Sequence, residues 1–237
     1  MSIKFTRTNL QYIDFGTILL TQPKKTFVFT LKLLSSPYDG RLFGKINSAL
    51  SRGWNSNLDP DQKIQYWQYW SGGADYTGWI STAISVATHR VVIAYDSGAV
   101  GNNALCWVDG TSLTMTEVGP VPSGSATENS ADPFRIGDLD TGSSWASPNA
   151  RIEDFRVYGT TLWTASKVAA DYADYLAGGI ESIQSINEQN LIFHAPLTMC
   201  KLLTYPTYIG STLGSTNVFV DRMAGVSGTP NGSPLGA

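Results

Sequence analysis

The chain has 237 residues, with 16 basic and 19 acidic side chains, so its formal net charge is −3. This balance argues against a nucleic-acid binder that depends on contacts to phosphate groups, and the hydrophobic fraction of 42% argues against a disordered chain. No apolar run reaches the ~20 residues that span a bilayer, and residues 1–7 lack the apolar core of a signal peptide. We therefore expect a protein that is made in a cytoplasm and is not inserted in a membrane.

Short apolar or alternating runs, separated by Gly, Pro, Asn, Asp and Ser, predict an antiparallel all-β domain. The predicted strands, in chain order, cover residues 27–33, 41–46, 64–70, 78–85, 90–95, 104–108, 112–115, 134–137, 151–158 and 190–197. The pair Asp109-Gly110 lies between two of these runs and predicts a tight hairpin, because such turns need positive φ angles at both central positions. Residues 118–132 are predicted to form a loop.

One helix is predicted over residues 165–176, with Thr164 as its N-cap and glycines at 178 and 179 as its stop. Its apolar face is predicted from the spacing of three and four residues. The members of that face are Val168, Tyr172 and Tyr175 or Leu176. Because the helix is short, we expect it to pack against the edge of a sheet.

Several of these segments resemble, in order, the motifs of the laminin-G-like, concanavalin A-like jelly roll. HRVVIAYD at 89–96 is similar to the family's W-H-H-V-A-V-x-Y-D, LCWVDG at 105–110 to L-Y-V-D-G, and RIEDFRVY at 151–158 to x-I-D-D-V-R-I-Y. The resemblance covers residues 3–176. It implies an all-β jelly-roll β-sandwich of two antiparallel sheets with one short C-terminal helix.

The resemblance divides the chain into two parts. Residues 1–178 are expected to form the laminin-G-like β-sandwich, and residues 179–237 an extended C-terminal region. This region contains the strand predicted at 190–197, and it ends in a nearly uncharged stretch rich in Gly, Ser and Pro at 225–237. Such a composition is typical of a linker or an extended arm.

The same fold also occurs in glycoside hydrolases and polysaccharide lyases, but their motifs are missing from this sequence. Glu153 and Asp154 are adjacent, and we expect them to point to opposite faces of a strand and not to form a carboxylate pair. His89 and His194 have no motif around them and are interpreted as hydrogen-bonded structural residues. The sequence therefore predicts no catalytic residues, and the protein is not expected to be an enzyme.

Residues 54–79 are unusually aromatic. On the strand predicted at 64–70, Trp67 and Tyr69 share one face with Gln65. Aromatic rings beside amides suit sugar stacking or a protein contact. Three interpretations stay open, namely burial on both sides or under the C-terminal tail, a protein interface and a sugar site. The candidate glycan or partner contacts are Trp54, Trp67, Tyr69 and Tyr76.

The resemblance also implies calcium, which the family often holds on the rim of the sandwich. The candidate ligands are Asp138 and Asp140, followed by Asp96. Calcium takes six to eight oxygen ligands, so the alternative for these residues is a solvated turn. Cys106 and Cys200 are interpreted as two thiols, or as a disulfide if their Cα atoms lie within about 7 Å.

These observations lead to one main function and two alternatives. The fold usually works outside cells, whereas the sequence has no export signal and only two cysteines. A bacteriophage virion protein agrees with an extracellular role and with the lack of an export signal, because it is made in the host cytoplasm and acts after lysis. The main prediction is a head-decoration or tail-fibre protein of the virion. It is expected to form homo-oligomers, with a trimer favoured, and to contact other virion proteins and glycans. The alternatives are a stand-alone carbohydrate-binding module assisted by calcium and, in last place, a polysaccharide-degrading enzyme.

Overall fold

The computed structural model describes residues 3–5, 12–17, 20–34, 40–47, 52–72, 76–127, 131–137, 148–178, 190–195, 197, 229–231 and 235–236. In these residues the strands form two sheets, all of whose pairings are antiparallel, and a helix packs on one of the sheets. The prediction of an all-β sandwich of two antiparallel sheets with one short helix is therefore confirmed.

Sheet A has the order β10-β9-β8-β3-β14-β1-β17, and β15 also pairs with β14. Its strands are β1 (Ile3–Phe5), β3 (Lys24–Leu33), β8 (Thr88–Asp96), β9 (Leu105–Val108), β10 (Thr111–Leu113), β14 (Ala150–Gly159), β15 (Leu191–Ala195) and β17 (Leu235–Gly236). The hairpin predicted at Asp109-Gly110 is confirmed, since it joins β9 to β10 with φ angles of 52° and 76°.

Sheet B has the order β11-β7-β6-β5-β4-β13-β2-β16, and β12 also pairs with β6. Its strands are β2 (Tyr12–Asp14), β4 (Gly40–Ile46), β5 (Gly53–Leu58), β6 (Lys63–Gly72), β7 (Tyr76–Ala83), β11 (Met115–Val118), β12 (Ser123–Ala126), β13 (Phe134–Gly137) and β16 (Thr229–Asn231). Strand β12 lies inside the segment that was predicted to be a loop, because the end of β6 provides an edge on which it pairs.

The core between the sheets is built largely from aromatic rings. Phe43 of sheet B and Phe155 of sheet A meet edge on, with ring centroids 4.8 Å apart, and Phe27 packs on Phe43 at 4.9 Å. Phe193 of β15 joins this core and is almost fully buried. The sandwich therefore includes a strand from the segment 179–237.

Helix α1 (Ala165–Gly178) begins after Thr164, whose Oγ1 accepts a hydrogen bond from the backbone N–H of Lys167 at 3.4 Å. Val168 is buried as predicted, whereas Leu176 is exposed. The expectation that the helix packs against a sheet edge is wrong. It covers the outer face of sheet A, because Val168 packs there in a second apolar cluster and the buried Asp171 pairs with that sheet.

Candidate functional site

The outer face of sheet B carries the aromatic side chains that the sequence singled out. Residues that pair across antiparallel strands point to the same face of a sheet, so the register identifies which side chains lie together. One row across β4 to β7 consists of Gly44, Asn55, Trp67 and Gly78. The next row consists of Arg41, Asn57, Gln65 and Ile80. Together with the cross-strand pair Tyr69 and Tyr76, we call these residues the aromatic–amide face.

Trp67 is held in one orientation by its neighbours. Its ring lies on Gly78, where an added Cβ would be only 2.4 Å from ring atoms. Its Nε1–H donates to Oε1 of Gln65 at 3.0 Å, and Nε2 of Gln65 donates to Oδ2 of Asp59 at 3.3 Å. The ring of Tyr76 meets it edge on, with centroids 5.4 Å apart. The indole is therefore preorganised, which lowers the entropic cost of binding a ligand.

Buried amides lie next to this exposed aromatic pair. Tyr76 is 41% exposed and Trp67 is half-buried, whereas Asn55 and Asn57 are buried. The Oδ1 atoms of both asparagines accept no hydrogen bond from the part of the chain that the structure describes. A buried acceptor without a donor costs about 1–3 kcal/mol. These oxygens have almost no accessible surface, so the groups of this face that a ligand contacts directly are chiefly the rings of Trp67 and Tyr76.

Two of the four predicted contact residues do not reach the surface. The prediction for Trp54 is wrong, because its place in the alternation of β5 turns it into the core, where it is fully buried 4.9 Å from the ring of Phe27. Tyr69 lies on the predicted face but is only 9% exposed and packs on Ile46. Burial raises the pKa of Tyr69, against an opposing effect of Arg41. Trp67 and Tyr76 remain as the accessible pair.

The calcium candidates fall in two places. Asp138 and Asp140 lie outside the described residues. Asp96 closes the turn after β8, where its Oδ1 accepts the Gly98 N–H at 2.9 Å and its Oδ2 lies 3.9 Å from Nζ of Lys24. Among the described residues, no three His, Cys, Asp or Glu side chains cluster as metal ligands. Among the described residues Asp96 thus serves the turn after β8, and its role as a calcium ligand stays a prediction.

A buried ionic cluster joins helix α1 to sheet A, and sequence reasoning missed it. Nε and Nη2 of Arg90 donate to Asp171 of the helix at 2.8 and 3.2 Å, and Nη1 donates to Oδ2 of Asp154 at 3.0 Å. Oδ1 of Asp154 also binds Nε of Arg156 at 3.0 Å and Nε2 of His194 at 2.8 Å. The signal in the sequence was a single charged residue, Arg90, at the start of an apolar strand.

This cluster corrects the expectation that Glu153 and Asp154 point to opposite faces. A β-bulge follows Glu153, and Asp154 has a φ angle of 47°, so Asp154 turns toward the helix side of the sheet. Burial alone would raise the pKa of Asp154, but Arg156, Arg90 and the His194 hydrogen bond outweigh it and hold that pKa well below its ordinary range. Arg90, Asp154 and Asp171 are shielded from solvent, and their contacts fix the helix on the sheet.

Ser85, His89 and Asp109 have the order of contacts found in a catalytic triad. Nδ1 of His89 lies 2.7 Å from Oδ2 of Asp109, and Nε2 lies 3.2 Å from Oγ of Ser85. Nε2 also lies 2.9 Å from the backbone oxygen of Ser85. The tautomer of His89 decides which of these contacts it donates, and the backbone oxygen of Ser85 competes with the hydroxyl for Nε2. We interpret His89 as a hydrogen-bonded structural histidine that ties the segment before β8 to the β9–β10 turn.

Two further findings concern single features of the chain. Within the described residues, the structure contains no helix of the length and apolar character needed to cross a membrane. Cys106 is buried on β9, and burial raises the pKa of its thiol to about 12. Cys200, its candidate disulfide partner, lies outside the described residues.

Comparison with known proteins identifies the fold. No protein-family model matches the chain, and no curated protein matches it. A "putative carbohydrate binding protein" from Bacteroides ovatus ATCC 8483 aligns with a TM-score of 0.55 at 12% identity, over 84% of this chain and 53% of that one. Domains LG4-5 of the mouse laminin α1 chain align with a TM-score of 0.51 at 15% identity, over 68% of this chain and 42% of that one.

These two likenesses confirm the laminin-G-like, concanavalin A-like jelly-roll β-sandwich that the motifs predicted. At such low identity they concern the fold alone. The chain spans about half the length of these two solved structures.

Proposed function

We propose that the protein is a lectin-like carbohydrate-binding module that binds glycans on the aromatic–amide face of sheet B. The observation that carries the proposal is the preorganised, accessible pair Trp67 and Tyr76, set among the amide side chains of the same face. A flat ring covers the apolar face of a sugar, and amide groups satisfy its hydroxyls. The face thus supplies both kinds of contact over four neighbouring strands.

The comparisons support the same class of ligand. One of the solved structures with this fold bears the description of a carbohydrate-binding protein. Likeness of fold does not establish a function, because function resides in sites. The aromatic–amide face is the candidate site in this chain.

Affinity electrophoresis through gels that contain soluble polysaccharides tests this function. The panel includes neutral β-glucans, mannans, xylans and galactans, with uronic-acid polymers as the charged set. We expect at least one polysaccharide to retard the wild-type protein, and Tyr76→Ala to migrate freely in it. Leu105→Ala is the matched control, because Leu105 is 43% exposed, close to the 41% of Tyr76, but lies on sheet A. Equal retardation of both variants would contradict the proposed face.

The virion role stays a prediction that rests on the sequence argument. It requires a homo-oligomer, with a trimer favoured, which light scattering after size exclusion measures. A monomer without affinity for phage particles would contradict it and leave the module as the sole function. The two functions are compatible, since a virion protein can hold glycans through the same face.

The remaining predictions attach to the same experiment. Calcium dependence, through Asp138 and Asp140, is tested by repeating the electrophoresis with calcium chloride and with a chelator. Polysaccharide hydrolysis is tested by assaying the retained polymers for new reducing ends. We expect none, because the clustered carboxylates Asp154 and Asp171 are fully buried and paired with arginine.

A further inference from the structure

A cavity of about 420 Å³ opens at the end of the sandwich where β6 and β8 finish. Thr21 and Pro23, which precede β3, form one wall, and Ser125 of β12 stands in another. Trp70 of β6 also lines it. We call it the rim cavity. Its volume lies within the ~300–1,000 Å³ range of small-molecule sites.

The walls of the rim cavity are polar but uncharged. Its lining combines Ser and Thr hydroxyls with backbone groups of glycines, and none of the described lining residues carries a charged side chain. The apolar surface comes from Trp70 and Pro23. A charged ligand would lose its hydration without gaining a counter-charge here, whereas a neutral polyol can exchange its water contacts for these hydroxyls.

Trp70 contributes little of its surface to this lining. The side chain is only 3% exposed and its Nε1 atom is buried, so the indole N–H is not a contact for a ligand in the rim cavity. The hydroxyl groups of Thr21, Ser97 and Ser125 are the polar side-chain contacts that a sugar would find there.

We propose that the rim cavity binds one neutral sugar unit, separately from the aromatic–amide face. Tyr69 and Trp70 are consecutive on β6 and so point to opposite faces of the strand. The cavity uses neither Trp67 nor Tyr76. The two sites therefore have different residues, and this inference does not rest on the proposed function.

Saturation-transfer difference NMR with free monosaccharides tests the rim cavity on the full chain. The probes are glucose, galactose, mannose and N-acetylglucosamine, each alone. Ser125→Phe fills the cavity from β12, and Thr21→Phe fills it from the opposite chain segment, so that one variant remains if the other fails to fold. Ser112→Phe, at an exposed position of β10, is the matched control.

We expect at least one monosaccharide to give a transfer signal with the wild type, the Ser112→Phe control and Tyr76→Ala. The signal should fall at least tenfold in Ser125→Phe and in Thr21→Phe. No signal from any of the four sugars with the wild type would overturn the proposal. A signal that persists in both filled variants, or that is lost in Tyr76→Ala, would also overturn it by placing the sugar elsewhere. Polysaccharide retardation that is lost in Tyr76→Ala but kept in Ser125→Phe would leave the proposed function standing alone.

Discussion

At the scale of single residues, Gly78 and the two asparagines define the aromatic–amide face. The ring of Trp67 occupies the space that a side chain at position 78 would need. Asn55 and Asn57 are buried without donors for their Oδ1 atoms, which a protein selected for stability alone would avoid. Both features limit the stability of the fold, and both belong to a surface that is preorganised for binding.

Gly78→Ala should therefore displace the indole of Trp67. The backbone at Gly78 has no positive φ angle that would exclude alanine, so the whole effect comes from the clash with the ring. We expect a loss of about 1–3 kcal/mol in stability, as for other overpacked sites, and a tenfold loss of glycan affinity, equivalent to about 1.4 kcal/mol. Tryptophan fluorescence and calorimetric titration measure the two effects. Unchanged affinity would show that the orientation of Trp67 does not matter for binding.

Asn57→Leu separates binding from stability. It removes an unmet acceptor, so we expect the free energy of unfolding to stay the same or to rise, while glycan affinity falls about tenfold (about 1.4 kcal/mol). Asn103→Leu is the counterpart, because Oδ1 of Asn103 accepts the Nε1–H of Trp79 at 3.2 Å. That variant should lose stability and keep its affinity. Urea unfolding of Asn57→Leu that shows a large loss would instead identify a structural role for the amide.

At the scale of elements, the contact between helix α1 and sheet A depends on a charge pair. Arg90 of β8 holds Asp171 with two hydrogen bonds, and both side chains are 1% exposed. Around this pair lie Val168 of the helix and other apolar side chains. Breaking a buried pair by removing one partner leaves an uncompensated charge and is strongly destabilising.

Asp171→Asn should cost about 3–5 kcal/mol in the free energy of unfolding, measured by urea titration. Asp61→Asn is the control, since Asp61 is exposed and pairs with Lys63 at 2.8 Å, and surface pairs contribute little. The double replacement Arg90→Met with Asp171→Leu should not recover the loss, because Oδ2 of the buried Asp154 then loses the Nη1–H donor of Arg90. Equal unfolding midpoints for Asp171→Asn and Asp61→Asn would contradict this role.

At the scale of the whole molecule, the outer faces of the two sheets differ. Sheet A places a helix and an ionic cluster over its outer face, whereas sheet B leaves Trp67 and Tyr76 accessible. Acid should weaken the ionic cluster on sheet A, because the pKa of Asp154 lies below its ordinary value in the folded state. Its contribution to stability is complete above the unfolded pKa of about 3.9 and is lost as the pH falls toward the folded pKa.

We therefore expect the free energy of unfolding to decrease between about pH 5 and pH 2, with proton uptake on unfolding. Asp154→Asn lacks the depressed carboxyl and should show a shallower slope from an already lower stability. Urea titrations at a series of pH values measure both slopes. Parallel slopes would mean that other carboxylates dominate the acid transition.

Local patterns predicted those parts of the fold that depend on neighbours in sequence. The hairpin at Asp109-Gly110 and helix α1 follow from turn residues and periodicity within a few positions. The placement of Trp54 and the bulge at Asp154 were not predictable in this way. The first depends on strand β5, which has no strong strand signal, and the second on a charge pair between residues 64 positions apart.

The rows of the aromatic–amide face could not be predicted from the sequence, for the same reason. Sequence alternation placed Gln65, Trp67 and Tyr69 on one face of one strand. It could not bring Asn55 and Asn57 beside them, because that requires the register between β5 and β6. The candidate aromatic residues could therefore be named in advance, but their polar neighbours could not.

The most direct test of the account is an NMR titration of the 15N-labelled protein with an oligosaccharide of the polymer that retards it most. The Nε1–H signal of Trp67, which donates to Gln65, is assigned from the spectrum of Trp67→Phe. We predict that this signal shifts with the glycan concentration while that of Trp163, buried beside helix α1 on sheet A, stays in place. Shifts confined to Trp163, or a Trp67 signal that does not move at saturating glycan, would contradict a glycan site on the aromatic–amide face.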